Sequence, residues 1–384
     1  MREMKDSGID VIGVIPKEWE KNRLKYLCSI ETGNEDTQNA TPDGIYPFYV
    51  RSPIVELCDR YTFEGEGILV AGDGAGAGRI FHHAFGKYAV HQRVYRLANF
   101  NFNSFFINFW LSLLFPYEMD KGSAQSTVPS MRLPMLLNFP VFLPPYSEAN
   151  KIVAFLNQKC FEIDALSADI QTQIETLEEY KKSVITEAVT KGLDPNVEMK
   201  DSGVEWIGKI PNTWMTIPVK FCFSITNGSD PNTKEGDTPV YGSGKEAFKT
   251  CKEFKRGPTV LLGRKGTVNI PQWIEGNYWN VDTAFDTHAK GNYLLKLFFY
   301  AASCFDYDNY STQTALPSMT QSDYLNFRIP FMQIDEQQKI ADFLDQKCSE
   351  IDLTILEKQQ QLETLEDYKK SLIYEYVTGK KELA

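Results

Sequence analysis

The chain has 384 residues, 42% hydrophobic and 24% charged, an ordinary globular composition with length for two or three domains. Its formal net charge of −11 argues on its own against nucleic acid as a partner, because phosphate binding usually leaves a basic footprint. No apolar run nears the ~20 residues of a membrane span. The polar start MREMKDSGID is unlike a secretory signal, and seven scattered cysteines without a CxxC predict reduced thiols in a cytoplasm, not disulfides.

The first recognisable segment is a leader, MKDSGIDVIGVIPKEW (Met4–Trp19). A block of mixed α/β character follows. YPFYV (46–50), GILVA (67–71) and YAVHQRVYRL (88–97) read as strands, rich in β-branched and aromatic residues between Gly, Pro, Asn and Asp. FNSFFINFWLSLLF (102–115) reads as a buried helix. GDGAGAGR (72–79) lacks the G-x-G-x-x-G spacing of a dinucleotide loop, and no Gly-Lys-Ser/Thr follows it. It reads better as a turn that lets backbone approach a ligand closely. LPPY (143–146) is near the D/N/S-P-P-Y/F/W motif of DNA amino-methyltransferases, but Leu143 has no side-chain acceptor for an amine. The prolines instead predict a stiff lead into a helix starting near Glu148.

From there apolar positions fall at Leu156, Cys160, Ile163, Ile170, Ile174, Leu177, Val184 and Ala188, with polar intrusions at Ser167 and Lys181. Steps of four and three are the spacing of a coiled-coil seam. No Gly or Pro interrupts the run until Gly192.

The order then begins again. MKDSGVEWIGKIPNTW (199–214) is a second leader. PTVLLG (258–263) and WNVDTAF (279–285) read as strands, and YLLKLFFYAASCF (293–305) as a buried helix. Lys339–Thr378 repeats Lys151–Thr190 with 24 of 40 positions identical, and its seam runs Leu344, Cys348, Ile351, Ile355, Leu362, Leu365, Leu372 up to the stop at Gly379. STVPSM (126–131) likewise faces TALPSM (314–319).

The expected fold is therefore α+β: two globular α/β domains with pseudo-twofold symmetry and two long helices. The expected boundaries are 1–147, 148–192, 193–334 and 335–384. Matching seams in one chain predict an antiparallel pair; helices lying on their own domains, or pairing with a second copy, are the alternatives. Each rod of forty-odd residues would be about 60 Å long.

Charge follows this division. Residues 20–147 carry 11 Lys/Arg against 12 Asp/Glu, and 215–333 carry 12 against 11. The helical segments are acidic, with 5 against 8 in 148–192 and 7 against 12 in 334–384. Lys245 to Lys265 is a local basic stretch of seven cations and two acids. The histidines (82, 83, 91 and 288) show no metal-ligand spacing with cysteine, and no nucleophilic triad, nuclease motif or helicase motif can be assembled. The pattern suggests a binder, not a catalyst.

The leaders KDSGIDVIGVIPKEW and KDSGVEWIGKIPNTW, the helix start IDEQQKIADFLDQKCSEID and the helix end ETLEEYKKSVITEAVTKGLD resemble the specificity subunits of type I restriction–modification systems, in order and over the whole chain. One departure is YSEANKI at the first helix start, where EQ-x-x-I is usual. The resemblance implies that each variable block is a target-recognition domain for one half of a split double-stranded DNA sequence. It implies an antiparallel coiled coil that sets an unread spacer, at most ~18 base pairs for a rod of this length. Two methyltransferase (M) subunits would dock, and restriction (R) subunits beyond them. S-adenosylmethionine, Mg and ATP would belong to those partners, the chain itself having no cofactor and no active site.

Base edges are read by Arg, Lys, Asn and Gln, and phosphates by Lys, Arg, Ser, Thr and backbone N–H groups. Polar and Gly-rich loops at matching places in the two blocks therefore supply the DNA-contact candidates. In the first block these are Arg51 and Ser52; Asp73, Gly74, Gly76 and Arg79; Gln92 and Arg93; and Lys121, Gln125 and Thr127. In the second they are Ser243 and Lys245; Arg264, Lys265 and Thr267; and Gln313 and Thr314. A stand-alone DNA-binding regulator, or a protein–protein adaptor without a DNA role, is the alternative reading.

Overall fold

The structure is a computed structural model that describes residues 2–122, 129–308, 310–311 and 317–383. The candidates Gln125, Thr127, Gln313 and Thr314 lie outside the described residues. The chain divides into two units, Met1–Asp169 with Gln361–Ala384, and Ile170–Gln360.

The first unit is built on two four-stranded sheets. One is wholly antiparallel, in the order Ser29–Thr32, Val94–Ala98, Gly67–Ala71, Phe81–Ala84. Its central strand GILVA is buried at every position, as a continuous apolar run requires. The other sheet is mixed, in the order Glu56–Cys58, Tyr46–Tyr49, Lys87–Val90, Phe63–Glu64, with a parallel central pair. Helix α1 (Ser104–Gly122) buries Phe106, Ile107, Trp110, Leu111 and Phe115 in the core beneath the antiparallel sheet, and the short α2 (Leu133–Leu137) follows.

The second unit repeats this topology strand for strand. Its antiparallel sheet runs Phe223–Asn227, Ala284–Ala289, Thr259–Gly263, Gln272–Ile274, and its mixed sheet Lys249–Cys251, Thr238–Tyr241, Asn277–Asn280, Lys255–Arg256. The long helix α3 (Tyr146–Lys191) leads into it, its second half lying in this unit. Within the unit come α4 (Leu295–Ala302) and α5 (Gln321–Asn326), and then α6 (Ile334–Val377).

Two sequence expectations are corrected here. The run 88–97 is not one strand: Lys87–Val90 belongs to the mixed sheet and Val94–Ala98 to the antiparallel one. Nor is 279–285, which breaks between Asn277–Asn280 and Ala284–Ala289. At each break, His91–Arg93 and Val281–Thr283, the chain changes sheets between two strand-like runs. A glycine backs the break in each unit, where a Cβ on Gly33 would lie 2.2 Å from the Val90 carbonyl and one on Gly228 2.2 Å from that of Val281. The first long helix also starts two residues before Glu148, at Tyr146.

α3 and α6 have 46 and 44 residues, about 65–70 Å each, and each contributes a segment to both units. In the first unit Phe155 stacks on Tyr376 at 4.6 Å, and Lys369 reaches Asp164 at 2.6 Å. In the second, Lys358 donates to Gln173 at 2.5 Å, and Lys181 reaches Asp352 at 2.6 Å. As numbers rise along α3 they fall along α6, so the segments in each unit run antiparallel. The polar intrusion at Lys181 and its repeat Lys369 are thus resolved as one cross-helix ion pair made twice. In both units the helices also pack into the domain core: Leu156, Ile163, Leu372 and Val377 in the first, Ile185, Val189, Ile340 and Leu344 in the second.

The leaders cap helix ends. Gly379 (φ 68°) closes α6 with no room for a Cβ against Pro16, 2.4 Å away, and Gly192 (φ 77°) closes α3 under the Trp214 ring. The unusual YSEANKI start has a local consequence. Gln337 of α6, wholly buried, bonds the Leu294 amide and the carbonyls of Asn292 and Met332. Ala149 holds the matching place in α3 and makes none of these side-chain bonds.

All seven cysteines are free, six buried and Cys304 half-buried. Burial pushes each thiol up, Cys28 to about 12 and Cys222 and Cys304 to about 11. The folded chain will therefore react slowly with an aromatic disulfide reagent at pH 8, and all seven thiols will titrate on unfolding. Fast stoichiometric reaction of any one thiol in the native protein would count against this packing.

Candidate nucleic-acid interface

In the first unit three loops meet at the end of the sheets. The loop after Tyr46–Tyr49 carries Arg51 and Ser52, the loop after Gly67–Ala71 carries Asp73 to Arg79, and the strand break carries Gln92 and Arg93. Arg51 Nη1 lies 2.7 Å from Asp73 Oδ1, and Arg93 Nη1 3.5 Å from Asp73 Oδ2. Both guanidinium groups remain exposed. A cavity of about 480 Å³ opens here, lined by Arg51, Ser52, Asp73, Gly74, Gly76 and His91 among others.

The glycines make the close packing possible. A Cβ on Gly72 would lie 2.8 Å from the Arg93 carbonyl, and Gly74 has φ 76°. Gln92 Nε2 donates to Asp36 Oδ2 at 3.0 Å. Arg79 is bonded to Asp120, and Lys121 lies 3.4 Å from Glu118, both away from the Arg51–Asp73–Arg93 cluster. Met131 N donates to the Gly72 carbonyl at 2.7 Å, and Asp73 bridges Ser130, so the PSM end of the repeated VPSM motif braces the glycine loop.

His91 was missed by sequence reasoning, which weighed histidines only as metal ligands. It is buried, and its Nδ1 accepts the Arg93 amide at 3.0 Å, which leaves the ring proton on Nε2 facing Thr37. Burial, then the Arg51 charge, holds this imidazole below its ordinary value and so neutral. The signal in the sequence was its place in His-Gln-Arg, beside two candidates.

The second unit builds the same frame with other side chains. Arg264 N donates to Thr283 O at 2.7 Å, as Gly72 N does to Arg93 O at 2.8 Å. Ser243, Lys265 and Thr283 therefore stand where Arg51, Asp73 and Arg93 stand. Lys265 bridges Ser318, and Met319 N donates to Arg264 O, so Ser318 and Met319 brace this loop as Ser130 and Met131 brace the other. Arg264 Nη1 leans on the Asp282 carbonyl at 3.2 Å and its carboxylate at 3.7 Å, while the Lys265 side chain is exposed. The turn is tight: a Cβ on Gly263 would lie 2.1 Å from the Thr267 carbonyl. The buried Tyr324 hydroxyl pins the turn from below through the carbonyls of Gly263 and Val268. Lys245 is grouped elsewhere, on a cleft of about 390 Å³ with Lys181, Lys182 and Asp352.

Among the described residues no group of three or more His, Cys, Asp or Glu is placed to hold a metal, and no helix is long and apolar enough to cross a membrane.

Comparison with known proteins follows these features. The family described as Type I restriction modification DNA specificity domain matches residues 16–176 and 211–364, once per half. The chain is 21% identical to the type I restriction enzyme EcoDI specificity subunit of Escherichia coli, over 90% of this chain and 84% of that one. It is 24% identical to the MjaVIII specificity subunit of Methanocaldococcus jannaschii, over 95% and 93%. A solved chain from work on complex assembly and conformational transition of the type I R-M system superposes with a TM-score of 0.70 at 15% identity, covering 96% of this chain and 99% of the other. That likeness shows a shared fold. With the family matched across most of both halves, the chain belongs to the specificity subunits of type I restriction–modification systems.

Proposed function

We propose that this chain is the non-catalytic DNA-reading subunit of a cytoplasmic type I complex. Each unit reads one half of a bipartite double-stranded target, and the paired helices set the unread spacer. Two M subunits bring S-adenosylmethionine chemistry, and R subunits bring ATP- and Mg-dependent translocation and cleavage.

The observation that carries this reading is one loop frame built twice with different side chains. Arg51, Asp73 and Arg93 fill it in the first unit, and Ser243, Lys265 and Thr283 in the second. An identical scaffold with different polar groups suits two different base words. The acidic outer faces of α3 and α6 suit protein docking better than phosphate.

The deciding experiment expresses the chain with its modification partner in a methylation-free, restriction-deficient host and sequences the methylome. A methylated motif of two short words around a fixed unread spacer is expected. An assembled, soluble complex that leaves the genome unmethylated would turn the reading toward a regulator or an adaptor.

A further inference from the structure

The two mixed sheets share a topology but carry opposite charge at matching positions. Phe48 pairs with Glu56 in the first unit as Val240 pairs with Lys249 in the second. Lys87 pairs with Glu64 as Asn277 pairs with Arg256. The buried thiols of Cys58 and Cys251 each donate to the carbonyl two residues on, which aligns Asp59 with Lys252 and Arg60 with Glu253. Four charges on the two outer strands of the sheet and the turn beside them are thus reversed between the units: Glu56 against Lys249, Asp59 against Lys252 and Arg60 against Glu253 at one edge, and Glu64 against Arg256 at the other.

The minority charge has a partner on each side. Arg60 is held by the buried Glu35 at 2.8 Å. Glu253 accepts the amides of Asn232 and Thr233, and bonds to the Thr233 hydroxyl hold its carboxyl below the usual range. Lys255 is spent on the buried Asp286 at 3.1 Å. What faces outward on the mixed sheet of the second unit is Lys249, Lys252 and Arg256, with Asp230 a loose 3.8 Å from Lys249. In the first unit it is Glu56, Asp59 and Glu64 against Lys87 and the paired Arg60.

Two aromatic rings interleave the cations. Phe248 is 59% exposed with Lys249 Nζ 5.2 Å from its centroid, and Phe254 is 52% exposed with Arg256 at 5.9 Å. Rings so placed hold cations in position at little desolvation cost. In the first unit Val55 stands at the place of Phe248, and Tyr61 stands at the place of Phe254 with Lys87 Nζ 4.7 Å from its centroid.

We infer that the mixed sheet of the second unit is a sequence-independent grip on the DNA phosphate backbone that the first unit lacks, so the two units contribute unequally to affinity. Phosphates are repelled by the acidic outer strands of one sheet and displace counterions from the basic outer strands of the other. This inference rests on the DNA-reading function proposed above.

The test uses the full chain assembled with its modification subunits and measures binding to target and scrambled duplexes between 50 and 300 mM salt (roughly the range where counterion release is read). In K249Q/K252Q, affinity for both duplexes should fall by the same factor. The slope of log K against log salt should flatten by about 2, about one per lost contact. K249R/K252R should keep the wild-type slope. An unchanged slope in the glutamine variant, with wild type still preferring its target, would overturn the grip alone. A wild-type complex with no target preference would overturn the DNA-reading function as well.

Discussion

Trp214→Phe will cost the second unit more than Trp19→Phe costs the first, although the two tryptophans occupy the same place in the repeated leader. Both are almost wholly buried, Trp19 at 0% and Trp214 at 1% exposure. Trp214 Nε1 donates to Glu336 Oε2 at 2.9 Å. Trp19 Nε1 has no partner among the described residues, because Arg2 holds the matching Glu148 at 2.6 Å. Phenylalanine removes similar volume at both sites, but only at Trp214 does it take a hydrogen bond from a half-buried carboxylate, that of Glu336. A difference of about 1–2 kcal/mol is expected. Alanine should cost about 3–5 kcal/mol at either site, a large share of the ~5–15 kcal/mol of a typical domain. Urea unfolding of the four variants measures this. Equal costs for the two phenylalanine variants would show that the Trp214–Glu336 bond contributes nothing.

Arg264→Ala should weaken target binding by about 10–100-fold and leave scrambled duplex nearly unchanged, as expected when one base-reading arginine worth ~1–3 kcal/mol is removed. The reasons are geometric. Arg264 stands on a turn braced by Met319 and Tyr324, and among the described residues its guanidinium makes one hydrogen bond, to the Asp282 carbonyl. A braced main chain with a partly unpaired fork is preorganised to donate to a guanine edge. Lys265→Ala, from a neighbouring exposed side chain, should instead weaken both duplexes together and flatten the salt slope by about one. Equilibrium titration with both duplexes separates the two roles. If neither variant changes either affinity, this turn is not a DNA contact.

Much of the architecture was legible in the residues because it is written twice. Seam spacing from Leu156 to Ala188 and from Leu344 to Leu372 marked the long helices, since one periodic face must be buried for so long a helix to persist. Gly192 and Gly379 marked their ends, because a positive φ at a helix C-terminus suits glycine. The strand breaks at 91–93 and 281–283 were not legible. Each break is only three residues, His91–Arg93 and Val281–Thr283, between two strand-like runs, and only pairing shows that those runs join different sheets.

For the candidate site, sequence located the loops but not their partners. Arg51, Asp73 and Arg93 come from three separate segments, and nothing in their spacing foretold one carboxylate between two guanidinium groups. Arg79 and Lys121 matched the pattern for DNA contact, yet they face Asp120 and Glu118. The charge reversal of the mixed sheets was equally hidden, because Glu56 and Lys249 become equivalent only through strand register.

What the sequence determined by itself was therefore the duplication, the helices and the family, all of which depend on local periodicity and on residues near one another in the chain. What only the tertiary structure decided was which side chains share a loop frame, which charges are turned inward, and which remain for a partner. Those outcomes depend on contacts between residues tens to hundreds of positions apart, and hydrophobic pattern carries no record of them.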